Sequence, residues 1–169
     1  MAYNVVLLYG KYLYKHSINN NILSDLHKHN LKLVRNFVHS KPAIILGIES
    51  SCDDTACGIV DSNGTILGEA ISSQYLTHLN FGGIIPSFAR ILHRNNITKT
   101  CENALKAANL KLKDIDAIAT TVKPGLPLSL KVGAQFGKYL AKIGEKPFIP
   151  IHHMEAHALT ARMSKKVFL

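Results

Sequence analysis

The chain has 169 residues, 47% of them apolar and 18% charged, and a net charge of +9. That is enough apolar material to bury a core but too short for two large lobes. No run approaches the roughly 20 apolar residues of a membrane-spanning helix. The three cysteines, Cys52, Cys57 and Cys101, form no C-x-x-C pair, which excludes a disulfide-stapled scaffold and fits free thiols in a reducing compartment.

The charge is uneven. Residues 1–41 hold six basic side chains (Lys11, Lys15, Lys28, Lys32, Arg35, Lys41) against Asp25, a net +5, which leaves +4 for residues 42–169. The body is therefore only mildly basic, which permits a polyanionic partner without demanding one. Ile22, Leu26, Leu33 and Phe37 fall at helical spacing with Lys28, Lys32 and Arg35 off that stripe. A basic, acid-poor amphipathic leader of this kind resembles a mitochondrial transit peptide; a plain N-terminal extension is the alternative. Pro42 marks the expected start of the fold.

Three short strands come first. Ala43–Ile48 is an apolar run ending beside Gly47, as in a buried strand. Ala56–Asp61 and Thr65–Ile71 flank Asn63-Gly64, a strong hairpin signal because both residues tolerate positive φ. A helix follows Pro86, with Ile97, Cys101, Ala104, Leu105 and Ala108 on its apolar face. Arg90 and His93 on this helix could face a ligand, but a solvated helix face is the expectation for each. Asp114–Thr121 reads as a fourth strand, Ser129 to about Ile143 as a helix rich in small residues, Phe148–Ile151 as a fifth strand, and His153 to Met163 as a last helix. This order predicts an α/β fold with a mixed five-stranded sheet, as in one RNase H-like lobe of the actin-like ATPase and sugar-kinase fold group.

The residues able to carry chemistry sit at strand ends. Glu49 to Thr55 (ESSCDDT) brings adjacent carboxylates and three hydroxyls into one turn, a composition suited to a metal-bound phosphate or acyl-adenylate, and equally to an ordinary turn. Lys123-Pro124-Gly125-Leu126 joins a strand to a helix and presents a helix N-terminus, a generic anion site or a simple connection. His153 and His157 are four residues apart, on one helical face and within reach of one ion. A zincin requires H-E-x-x-H; Glu155 stands two residues after His153, so a peptidase would lack its general base. His152 is offset by one residue and is expected to face another partner. Each cysteine reads as a small buried hydrophobe rather than a nucleophile.

Taken together, Leu46–Thr55 (LGIESSCDDT), Gly82–Pro86 (GGIIP), Ala117–Gly133 (AIATTVKPGLPLSLKVG) and Pro150–His157 (PIHHMEAH) resemble the tRNA N6-adenosine threonylcarbamoyltransferase family, formerly the glycoprotease or O-sialoglycoprotein endopeptidase family. KPGL and HHMEAHALT look most like its mitochondrial branch. Two departures stand out: Lys123 replaces the usual glycine before proline, and Ser87–His93 (SFARILH) replaces an acidic, serine-rich stretch. The resemblance implies transfer of threonylcarbamoyl from threonylcarbamoyl-AMP to N6 of the adenosine 3′ of the anticodon, in the mitochondrial matrix. By motif matching it implies Asp53 and Asp54 as catalytic residues. Ser51, Thr55, Lys123, Pro124 and Gly125 become substrate-binding residues, and His153 and His157 ligands of one divalent metal such as zinc or iron. Implied partners are tRNA, the acyl-adenylate and, as an option, a second copy of the chain; no membrane is implied. Residues 42–169 match the family's N-terminal lobe. A second lobe, with a Ser-Gly-Gly-His element and a further aspartate ligand, has no counterpart, so the expectation is a catalytically silent chain when alone. A non-catalytic segment that keeps only a partner surface is the alternative, and a metallopeptidase the weaker one.

Overall fold

The computed structural model describes residues 41–160. The expected leader at 1–41, apart from Lys41, and the part of the expected last helix past Thr160 lie outside the described residues. Three consecutive strands open the fold: β1 (Ile44–Glu49), β2 (Asp54–Asp61) and β3 (Ile66–Ser73). A short helix α1 (Tyr75–Asn80) and a 22-residue helix α2 (Pro86–Ala107) follow. Then come a single 3-10 turn (Leu112–Asp114), β4 (Ala117–Lys123), α3 (Pro127–Ile143), β5 (Phe148–His152) and α4 (His153–Thr160). Among these residues no helix is long and apolar enough to cross a membrane.

The five strands form one mixed sheet in the order β3-β2-β1-β4-β5. β2 runs antiparallel to both β1 and β3, while β1, β4 and β5 are mutually parallel. β1 lies at the centre, where Ile45, Leu46 and Ile48 are fully buried, as expected of a strand covered on both faces. Leu46, Ile48, Cys57, Ile59 and Ile118 pack with Ile97, Cys101 and Ala104 of α2 and with Leu140 and Ala141 of α3. On the other face Ile45, Ala117, Ala119 and Ile151 pack with Ala156 of α4.

Several boundaries differ from expectation. α1 was not expected: its short stretch carries no N-cap side-chain bond and buries only His78, so periodicity leaves little trace. Asp114 closes the 3-10 turn instead of opening β4; its carboxylate accepts a bond from the Lys111 N–H at 2.9 Å, a local bond that competes with strand pairing. In the β2–β3 hairpin only Gly64 adopts positive φ, at 91°. There the Asp61 carboxylate accepts from the N–H groups of Asn63 and Thr65 and shapes the turn, so Asn63 need not leave the ordinary region.

Candidate functional site

β1, β4 and β5 are parallel, so their C-terminal ends share one edge of the sheet, and β2 starts at that same edge. Ligands in open α/β sheets bind outside this edge. Glu49, Lys123 and His152 end their strands there, Asp54 begins β2, and α4 starts directly with His153.

Glu49 organises the edge. It is 1% exposed. One carboxylate oxygen accepts from the Ser51 N–H at 2.5 Å; the other accepts from the Thr121 hydroxyl at 2.5 Å and from Nδ1 of His153 at 3.3 Å. Burial alone would push this carboxyl up, but the bonds from His153, Ser51 and Thr121 outweigh it, and the pKa lies below its ordinary value. The same contact raises the pKa of His153 against the opposing effect of partial burial. Because Nδ1–H of His153 donates a hydrogen bond to Glu49, its Nε2 is left to face outward. That Nε2 stands 2.8 Å from Nε2 of His157, one helical turn on. A proton must sit between two nitrogens at that distance, and a divalent cation can take its place. A carboxylate behind one imidazole is the usual support of a metal-binding histidine. Among the described residues no group of three His, Cys, Asp or Glu side chains surrounds such an ion. Glu155, off this face, is exposed.

The β1–β2 bend is built into the scaffold. Ser50 donates its hydroxyl to the Ser129 carbonyl at 2.9 Å. Ser51 is buried, and its hydroxyl lies 3.3 Å from Nδ1 of His153. Gly125 lets the KPGL connection pass against Ser51: a Cβ there would stand 2.6 Å from the Ser51 carbonyl oxygen. That carbonyl accepts from the Leu126 N–H at 2.7 Å, so the first donor of the helix N-terminus is spent on the scaffold. Lys123, Pro124 and Gly125 are exposed. Asp53 and Asp54 are half-buried at the mouth of the bend, and Oδ1 of Asp54 is buried without a hydrogen-bond partner. The structure thus brings Ser51, His153 and His157 into one bonded group, with Gly125 against Ser51.

Three expectations need correcting, at Thr55, His93 and Cys52. Thr55 is fully buried and its hydroxyl is bonded 2.7 Å from Nδ1 of His93, so in this conformation it offers no surface to a substrate. His93 does not lie on a solvated helix face; it is 0% exposed. Arg90 is exposed as expected. Cys57 and Cys101 are core residues, whereas Cys52 is exposed. Partial burial of Cys52 and the nearby carboxylates of Asp53, Asp54 and Glu49 push its thiol up, which disfavours a thiolate nucleophile. Glu49 was expected only as a member of the ESSCDDT cluster, with no role assigned, and Thr121 was not among the expected site residues. The available signal was an acid closing an otherwise apolar central strand, IILGIE.

Residues 65–168 match the family model for tRNA N6-adenosine threonylcarbamoyltransferase (TsaD). The chain is 56% identical over 124 residues to the mitochondrial enzyme of that name from Rattus norvegicus, covering 73% of this chain and 30% of the relative. It is 56% identical over 131 residues to that of Homo sapiens, covering 78% and 31%. To the tRNA N6-adenosine threonylcarbamoyltransferase of Rickettsia massiliae it is 48% identical over 123 residues, covering 73% and 36%. The chain therefore spans about a third of the length of the curated relatives it matches. Among solved structures, YeaZ from Pseudomonas aeruginosa superposes with a TM-score of 0.51 at 17% identity, covering 65% of this chain and 43% of that one, a likeness of fold. On the matched model and these identities, the chain belongs to the tRNA N6-adenosine threonylcarbamoyltransferase family.

Proposed function

We propose that this chain contributes the acyl-donor side of a threonylcarbamoyl transfer from threonylcarbamoyl-AMP to N6 of the adenosine 3′ of the anticodon in mitochondrial tRNAs. The observation that carries the reading is the facing pair of imidazole nitrogens, 2.8 Å apart, with Glu49 behind His153. His153 and His157 would hold one divalent metal, which when bound supplies Lewis-acid polarisation of the acyl donor. Zinc and iron both accept imidazole, so the donor set does not choose between them. Asp53, Asp54 and Ser51 would orient the adenylate, and the exposed Lys123 ammonium would offset charge on the departing AMP phosphate. An exocyclic adenine amine is a poor nucleophile, so positioning is the main task of these residues.

Residues 1–41 would serve as the mitochondrial leader and 42–169 as one lobe of the cleft. A second copy of the chain is a further partner, supported by the exposed Leu76, Leu79 and Phe81 around α1. A second reading is a non-catalytic segment that keeps only a partner surface, for which the same exposed Leu76, Leu79 and Phe81 speak.

The test uses the chain itself and a chimera in which it replaces the matching segment of the Rickettsia massiliae relative. Both receive tRNA and pre-made threonylcarbamoyl-AMP. The chimera should form modified adenosine, and His153→Ala or His157→Ala in it should lower the rate by about 100-fold or more. An inactive chimera, or full activity in the histidine variants, overturns the reading. Turnover by the chain alone would remove the second one.

A further inference from the structure

The bend between β1 and β2 is tied down carbonyl by carbonyl. The Ser51 carbonyl accepts from the Leu126 N–H at 2.7 Å and the Asp53 carbonyl from the Gln74 N–H at 3.0 Å. Between them, the Cys52 carbonyl accepts from Nε2 of His93 at 3.0 Å. The two outer donors are main-chain groups that almost any residue would supply. The middle one is a side chain arriving from α2, and only certain residues can provide it.

The protonation of His93 follows from its partners. A carbonyl can only accept, so Nε2 carries the hydrogen. Burial holds the imidazole pKa below its ordinary value, against the opposing pull of the Cys52 bond and of Glu49. The ring is therefore neutral near pH 7, and its Nδ1 accepts from the Thr55 hydroxyl at 2.7 Å. Ile97 and Ala104, on the same buried side of α2, fill the core without any such bond. A wholly buried ring with both nitrogens committed to a polar bend is more than packing requires.

We propose that His93 is a positioning residue of the acyl-donor site: through the Cys52 carbonyl it fixes where the carboxylates of Asp53 and Asp54 stand. The proposal rests on the reading that those carboxylates line that site. Cys52 immediately precedes Asp53, so a freed carbonyl lets the peptide linking the two residues rotate, and Asp53 turns with it.

Two substitutions separate the two ring nitrogens. His93→Gln puts an amide N–H near the position of Nε2. His93→Asn puts a carbonyl oxygen near Nδ1 but does not reach Cys52. In the whole chain, hydrogen exchange is read at the Gln74 and Leu126 amides, which hold the neighbouring carbonyls, and at β4 amides as the global reference. Affinity for threonylcarbamoyl-AMP is read by calorimetry, and the His93 tautomer by long-range proton–nitrogen spectra. The expected results are an Nε2–H tautomer in the unmodified chain and, in His93→Asn, about tenfold faster exchange at Gln74 and Leu126 relative to β4, with about tenfold weaker donor binding. His93→Gln should recover most of both. Uniform loss of protection in both variants, no local change in His93→Asn, or an Nδ1–H tautomer overturns the proposal. Should His93→Asn not fold, the tautomer and His93→Gln decide, and an unprotected bend in His93→Gln counts against it. If the unmodified chain fails to bind the donor, the functional reading falls, while the exchange data still decide whether His93 holds the bend.

Discussion

Glu49 binds three donors with two oxygens, so losing its carboxylate leaves all three without that acceptor. Its neighbours divide by kind: the Ser51 N–H serves the bend, Thr121 serves β4, and His153 serves the candidate ligand pair. Glu49→Gln keeps the shape but replaces one acceptor by an NH2 donor: turned one way it meets the Ser51 N–H, and turned the other it takes the acceptor from the Thr121 hydroxyl and from Nδ1–H of His153. A buried donor left without an acceptor costs about 1–3 kcal/mol. The same change removes the carboxylate that holds the proton on Nδ1 of His153, and losing such a support weakens metal binding by about 10–100-fold. Urea unfolding should show the stability loss, and zinc competition against a chromophoric chelator the affinity loss. If Glu49→Gln bound zinc as well as the unmodified chain, the carboxylate would not be supporting a ligand histidine.

α3 approaches the sheet closely because two of its buried positions are glycine. A Cβ at Gly133 would run into the Ser50 hydroxyl, and one at Gly137 into the Thr120 hydroxyl. Helix propensity and packing make opposite forecasts for Gly137→Ala. Propensity alone offers a gain of about 1 kcal/mol in a helix interior, while forcing a methyl into a closed contact costs about 1–3 kcal/mol. Thr120 is fully buried and cannot swing away, so packing should win and the urea midpoint should fall; a raised midpoint would show that the helix can lift off the strand. This close fit was only half legible beforehand. The chain order of β1 to β5 and of α2 to α4 followed from apolar runs separated by Gly, Pro and Asn, because those residues act locally. The expected small-residue character of α3 was correct, but which glycine meets which hydroxyl depends on strand register, which local pattern does not encode. The site divided the same way. His153 and His157 were visible as an i,i+4 pair, whereas the Glu49 and His93 contacts span 104 and 41 residues. An imidazole on a helix looks alike in sequence whether it meets water or a carbonyl.

At the scale of the molecule, three titrating groups around one bend set how the fold responds to acid. Burial lowers the pKa of His93 from 6.5, against weaker opposing influences that include Glu49. As pH falls below 6.5, the unfolded chain therefore takes up a proton that the folded chain resists, and stability drops. His153 acts in the opposite sense. The Glu49 contact raises its pKa above 6.5, so its contribution is full below 6.5 and fades as pH rises through the raised value. Glu49 itself is lowered from 4.5; its contribution is present above 4.5 and lost as pH falls through the lowered value. The expected profile of urea midpoint against pH thus rises as pH falls towards 6.5, where His153 gains its proton, falls below 6.5, where folded His93 resists one, and falls further below about 4.5 as Glu49 takes up its proton. Single substitutions separate the two limbs. His93→Gln removes the acid-sensitive member, so its midpoint should rise as pH falls towards 6.5 and then stay level to 5. His153→Gln removes the rise above 6.5 and leaves His93, so its midpoint should fall from 6.5 to 5. Equal slopes in the two variants would mean that neither ring is coupled to folding as its partners require. A steep loss below 4.5 that survives Glu49→Gln would assign acid unfolding to other carboxylates.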